Sequence, residues 1–189
     1  MAYIGVLEDF QKIRDLKKPR RIPCVACSEE FDVRWYGKYN YEEFCQDGNK
    51  IFEVYKAAID EFGYDWAWVQ YCEKELDIMI WMHNSEINLE NIISHLPIGA
   101  SFESIGPAAD IQQVSNALKD KAAFSGNLDP LEVLWKGTPE LVRSETTRII
   151  SGCKENGGYI FNTGEMNPGS VPVENMKAMM NTALNMAEY

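Results

Sequence analysis

Cys24 and Cys27 form a C-x-x-C near the start of the chain, a spacing that can serve metal ligation or thiol–disulfide exchange. The stretch Arg21-Ile22-Pro23-Cys24-Val25-Ala26-Cys27 reads as a strand, however, and strand residues three apart point to opposite faces. No second pair of this kind occurs, so the expectation is two buried thiols. Asn127 and Asp129 are the candidate catalytic residues. They follow the apolar run Ala122 to Gly126, and parallel α/β folds gather ligand-contacting groups at the C-terminal ends of strands. The same side chains can instead shape the turn before Pro130, because Asn and Asp bond nearby backbone; both readings stand. Gly99, Gly106 and Gly126 give neither a dinucleotide fingerprint nor a phosphate loop. No G-x-S-x-G elbow supports a hydrolase. His95, just before Pro97, reads as structural.

These residues need a scaffold, and the chain repeats a short apolar strand followed by an amphipathic helix. Strands are expected at Ile22–Cys27, Asp65–Val69, Ile78–Met82, Ala100–Ser104, Ala122–Gly126 and Tyr159–Asn162. Between them lie helical patterns. One runs from Tyr41 to Phe62, with Asn40 and Glu43 as a capping box, the stripe Phe44, Ile51, Phe52, Tyr55, Ile59 and Phe62, and Gly63 as its stop. Others are Leu89–Leu96, Asp110–Leu118, a turn at Leu131–Trp135, and Pro139–Lys154 with Thr138 as N-cap. A closing helix after Pro172 carries Met176, Met179, Met180, Ala183 and Ala187 on one side. Six such units predict an α/β fold with a mainly parallel sheet. A complete eight-unit barrel takes about 250 residues, so 189 residues point to an incomplete barrel or an open sheet. No repeat, low-complexity tract or linker divides residues 1–189, so they are read as one domain.

Composition bounds the partners. The net charge of −11 and the pI near 4.7 disfavour nucleic acid, which would be repelled. Lys17, Lys18, Arg20 and Arg21 form the one basic cluster and read as a solvated face. The longest apolar run, Ile78–Met82, is too short to span a bilayer. There is no export-signal pattern, and five scattered cysteines fit a reducing compartment; a cytoplasmic protein is expected.

Three ordered motifs carry a family resemblance. Ser125-Gly126-Asn127-Leu128-Asp129-Pro130 follows a strand; Gly157-Gly158-Tyr159-Ile160-Phe161-Asn162-Thr163-Gly164 comes about thirty residues later; Pro168-Gly169-Ser170-Val171-Pro172-Val173-Glu174-Asn175 follows. Together they resemble the C-terminal part of the uroporphyrinogen decarboxylase superfamily, with its G-N-x-D-P element, its glycine-containing last strand end and its P-x-E-N helix start. The likeness covers roughly residues 78–189 and, more weakly, the first βα unit. It implies a TIM-barrel-related parallel sheet of about six βα units, lacking the central part of the barrel, since too few residues separate Val69 from Asp77. The open edges of such a sheet imply a homo-oligomer, here a homodimer.

Where the decarboxylases carry an arginine-rich R-Q-A-G-R loop for substrate carboxylates, this chain reads Cys27-Ser28-Glu29-Glu30-Phe31. Their F-S-D-I loop is replaced by Trp66-Ala67-Trp68-Val69-Gln70. An acidic loop cannot grip eight carboxylates. The other branch of the superfamily, the corrinoid-linked methyltransferases such as methylcobalamin:coenzyme M methyltransferases, holds zinc with H-x-C after one strand and a cysteine after the last. Here His83 is kept, Ser85 replaces the first cysteine and Glu165 stands at the second. The resemblance thus implies a zinc site of His83 and Glu165 with Glu86 or Glu29, and a corrinoid protein as partner. Without a metal, His83 is a hydrogen-bonded strand-end residue and Glu165 a solvated carboxylate. The expected function is methyl transfer to or from a corrinoid or similar carrier. The alternatives are a catalytically degenerate binding or assembly protein and, third, uroporphyrinogen decarboxylation.

Overall fold

A computed structural model of the chain describes residues 5–66 and 102–189. The expected strand Ile78–Met82, the helix Leu89–Leu96, and His83, Glu86, Cys72 and His95 lie outside these residues.

The N-terminal part is helical: α1 (Val6–Arg14), α2 (Glu29–Tyr36), α3 (Tyr41–Cys45) and α4 (Gly48–Phe62). The capping box forms as its sequence dictates. Asn40 Oδ1 accepts the Glu43 N–H at 2.8 Å, and the Glu43 carboxylate accepts the Asn40 N–H at 3.1 Å. The helix expected over Tyr41–Phe62 is nevertheless two helices, because Asp47 turns extended and caps α4 through the Asn49 N–H at 2.9 Å. Phe52 departs from the expected stripe and is 69% exposed, whereas Phe44, Tyr55 and Phe62 are buried. Gly63 ends α4 in the left-handed region, at φ 76°.

Three strands form a parallel sheet in the order β1 (Phe102–Ser104), β2 (Ala123–Asn127), β3 (Tyr159–Asn162). Helices connect them as parallel pairing requires: α5 (Ile111–Leu118) and, after a π-helical turn at Pro130–Trp135, α6 (Pro139–Cys153). The final helix is α7 (Val173–Ala187). Beyond β3, the extended segment 22–27 continues the parallel arrangement, with Cys24 paired to Phe161. On the other edge of that segment the Asp65 N–H donates to the Cys24 carbonyl at 2.9 Å. The expected strand Ile22–Cys27 is therefore present as extended chain with isolated pairings and not as a continuous ladder. Pro23 has no N–H to give, and the Cys24 N–H is taken by the Asp65 carboxylate at 2.7 Å. Of the expected strand Asp65–Val69, only residues 65 and 66 are described, and they form a bend.

Alternation along these segments sorts the core. Ile22, Cys24, Ala26, Phe124, Tyr159 and Phe161 belong to the large cluster that includes the α5, α6 and α7 side chains. Val25, Ala123 and Ile160 face the other way and pack with Ile13 of α1. Both faces of the sheet are thus covered, which explains strands without alternating polarity. The Met176, Met179, Met180, Ala183 and Ala187 stripe of α7 is buried throughout. No described helix is long and apolar enough to cross a membrane.

Candidate functional site

Parallel strands deliver their C-terminal residues to one rim. On this rim stand Gly106 after β1, Asn127 at the end of β2 and the loop 162–169 after β3. The register sets Asn127 directly beside Asn162. The Asn127 amide N–H groups donate to the carbonyls of Gly106 at 3.1 Å and Ala109 at 2.8 Å, so the side chain reaches past the strand end into the turn after β1. Its Oδ1 is buried without a hydrogen-bond partner among the described residues. Asn162 Oδ1 accepts the Gly164 N–H at 2.7 Å, and the Thr163 hydroxyl donates to the Glu165 carbonyl at 2.8 Å. These bonds fold the loop back across the rim. Gly164 sits at φ +72°, where a Cβ would lie 2.5 Å from the Ile105 carbonyl oxygen; only glycine fits. Glu165 Oε1 then comes within 3.7 Å of the point where a Gly106 Cβ would stand. Asn167 ends the turn with its N–H on the Cys27 carbonyl at 2.6 Å, and neither polar atom of its fully buried side-chain amide has a partner among the described residues.

Asp129 is one step back from this rim. Its Oδ1 accepts the Leu131 and Glu132 N–H groups, both at 2.8 Å, and so caps the turn that opens at Pro130. Asn175, from the third sequence motif, donates to the carbonyls of Leu134 and Gly137 at 2.8 Å each and closes the far end of that turn.

The first turn of α2, just after residues 22–27, buries two acids. Glu29 is buried and accepts hydroxyl hydrogens from Tyr55 at 2.9 Å and from Tyr41. Asp32, 1% exposed, accepts from the Ser28 hydroxyl at 2.9 Å and the Tyr64 hydroxyl at 3.3 Å. Burial raises the Asp32 carboxyl to about 8, with the neighbouring Glu29 charge pushing the same way against the two hydroxyl bonds. Desolvation holds a carboxyl neutral in this manner. Sequence reasoning missed Asp32 and Asn167. The one available signal for Asp32 was the four-residue spacing from Ser28 after a strand end, which α2 turns into a contact.

The Cys24 and Cys27 thiols are buried and free. Burial pushes Cys24 far up and Cys27 up to about 12, the opposite of a reactive thiol. Arg21 departs from the expected solvated face: it is largely buried and paired with Asp65, while Lys18 pairs with Glu155 at 2.9 Å and Arg20 with Glu8 at 2.7 Å. Of the expected metal ligands, Glu165 lies on the rim, Glu29 is committed to two tyrosines, and His83 and Glu86 lie outside the described residues. No group of three His, Cys, Asp or Glu that could hold a metal occurs among the described residues.

The sequence model of the family described as uroporphyrinogen decarboxylase (URO-D) matches residues 70–186, more than half of the chain. A uroporphyrinogen decarboxylase of Chlorobium limicola is 28% identical over 146 residues, 71% of this chain and 40% of that protein. The one of Vesicomyosocius okutanii subsp. Calyptogena okutanii is 38% identical over 82 residues, 43% of this chain and 23% of that protein. The chain thus spans well under half the length of these curated relatives. Among solved structures, a methyltransferase from Methanosarcina mazei aligns with a TM-score of 0.43 and 16% identity, over 51% of this chain and 27% of that one.

Proposed function

This chain belongs to the uroporphyrinogen decarboxylase family, and we propose that within it the chain is a methyltransferase-like member, moving a methyl group to or from a corrinoid or similar carrier. The observation that carries this reading is the charge of the rim. Segments 27–32, 105–110, 127–129 and 162–169 contain Glu29, Glu30, Asp32, Asp110, Asp129 and Glu165 but no Lys, Arg or His. A polycarboxylate would meet only like charge there, and like charge against like costs several kcal/mol. Methyl transfer makes no such demand. The group moves as a cation equivalent: the acceptor's lone pair forms the new bond, and the electron pair of the broken bond stays with the carrier.

In this account Asn127 meets the substrate through its unpartnered Oδ1, and Asp129 positions it from behind by holding the turn. Zinc as cofactor would be held by His83, Glu165 and Glu86. The described residues do not form a zinc set by themselves, and Glu29 is replaced as third ligand because both its oxygens are occupied; no step is assigned to the metal. The architecture proposed is an incomplete TIM-type barrel. The parallel pairing of Cys24 with Phe161 supports it, since a barrel closes by setting its last strand beside its first. A corrinoid protein and a second copy of the chain, the latter covering the open strand edges, are the proposed partners.

A second reading is a catalytically degenerate binding or assembly protein. It is favoured by Asp129 and Glu29, whose side chains are engaged in cap and tyrosine bonds. Decarboxylation of uroporphyrinogen, the activity in the relatives' names, is the third. Metal analysis of protein purified without an affinity tag separates the first two. Bound zinc that is lost in His83→Ala, with the fold intact by circular dichroism, supports the enzyme. A metal-free wild type favours the degenerate protein.

A further inference from the structure

The loop 162–169 is anchored unequally at its two sides. At Gly164 it is set against the end of β1: a Cβ there would lie 2.5 Å from the Ile105 carbonyl oxygen and 3.4 Å from the Gly106 and Asn127 Cα atoms. The Gly164 N–H is also bonded within the loop, to Asn162 Oδ1. Past the loop, Val171 is buried in the large core cluster. Between these fixed points the chain crosses the rim to residues 27–34. There the Asn167 N–H donates to the Cys27 carbonyl, and α2 grips both polar groups of Gly169. The Gly169 N–H donates to Glu30 Oε2 at 3.3 Å, and Arg34 Nη1 donates to the Gly169 carbonyl at 2.5 Å. Glu30 and Arg34 are four apart on α2 and so share a face. Both of their bonds are exposed, and water competes for them.

Asn167 works against this closed arrangement. Its side chain is fully buried, and neither Oδ1 nor Nδ2 has a partner among the described residues. A buried amide left unpaired carries a desolvation penalty, which disappears when the segment lifts into water. Residues 165–168 have no helix or strand of their own and lie between two glycines. We propose that they form a strap that opens away from the rim, pivoting on Gly164 and on the Gly169-Ser170 turn, with Glu30 and Arg34 as its latch. The two latch residues act through the strap and are positioning residues. Opening uncovers the ends of β2 and of the segment 22–27, which is how a site closed over its substrate is entered and left. The strap goes beyond the methyl-transfer reading and serves any substrate of the rim.

Native-state hydrogen exchange of the full chain, without metal or substrate, tests this. The Asn167 N–H should exchange by local opening, well ahead of the Gly164, Val25 and Phe161 N–H groups. Glu30→Ala and Arg34→Ala each remove one charge-assisted bond and should speed Asn167 exchange about tenfold. The Val25 N–H and the Gly37 N–H, which closes α2 on the Val33 carbonyl, should keep their wild-type rates and show that sheet and helix are intact. Asn167 exchanging only with Val25, Gly164 opening at the same rate as Asn167, or unchanged Asn167 exchange in both variants would each overturn the proposal. Neither zinc nor a methyl carrier enters the measurement, so its failure leaves the proposed function standing, and the reverse holds as well.

Discussion

Cys24 and Phe161 are parallel neighbours: the Val25 N–H donates to the Phe161 carbonyl at 3.0 Å, and the Phe161 N–H to the Pro23 carbonyl at 2.9 Å. The strand before the final helix thus lies beside the first extended segment of the chain, and Asp65 continues the sequence on that segment's other edge. The joint is sealed on both faces, by Ile22, Cys24 and Phe161 on one and by Val25, Ile160 and Ile13 on the other. The amides of Val25 and Phe161 should therefore exchange hydrogen together and only through global opening. Native-state exchange in low denaturant checks this. Exchange of Val25 well ahead of Phe161 would mean that the first segment is only loosely attached.

Gly164 holds the rim loop in place. Alanine there would sit at φ +72° with its Cβ 2.5 Å from the Ile105 oxygen. Left-handed strain alone costs about 1–3 kcal/mol, and the clash adds to it. Gly164→Ala should lower the urea midpoint and shift the Asn127 and Asn167 amide resonances, because the loop must lift away from Gly106. An unchanged midpoint and spectrum would show that the loop does not depend on this close approach.

Asp32 makes stability depend on pH in the less common direction for an acid. Its folded value, about 8, lies above the ordinary carboxylate value of 3.8 because burial disfavours the charge. Between those values the folded state holds the proton that the unfolded chain releases, so stability falls as pH rises, at up to about 1.4 kcal/mol per unit for one group. Below pH 4 both states are protonated and the penalty is absent; above pH 8 it is constant. Asp32→Asn removes this contribution. The variant should gain on the wild type steadily from pH 5 to pH 8 in urea unfolding, then hold a constant difference. A difference independent of pH over that range would mean that Asp32 ionises normally in the fold.

The parts of this structure that were legible in sequence are those whose physics is local. Asn40 and Glu43 cap one another across three residues, Thr138 caps α6 at the Leu141 N–H, and the Met176–Ala187 stripe is buried because α7 has one apolar side. The misses have longer reach. The break between α3 and α4 turns on Asp47, whose capping competes with an apolar pattern that runs straight through it and includes the exposed Phe52. Arg21 looked solvated because its partner, Asp65, is 44 residues away. The site was legible to the level of the rim: Asn127 and Glu165 stood at strand ends in the motifs, but which of their atoms lack partners depends on the Gly106 turn and the Gly164 fold-back. Asp129 could be read as ligand contact or as turn former, and its hydrogen bonds are those of a turn former.

The most direct test of methyl transfer against the activity named in the relatives is to offer the purified chain both chemistries in parallel. One assay follows the spectral loss of methylcobalamin in the presence of a nucleophilic acceptor; the other follows carbon dioxide release from uroporphyrinogen. A methyltransferase-like protein with an acidic rim should demethylate methylcobalamin at a rate that falls about a hundredfold or less steeply, but clearly, in Glu165→Gln, in keeping with loss of one charged contact, and should release no carbon dioxide. Carbon dioxide release from uroporphyrinogen, without demethylation, would contradict the account.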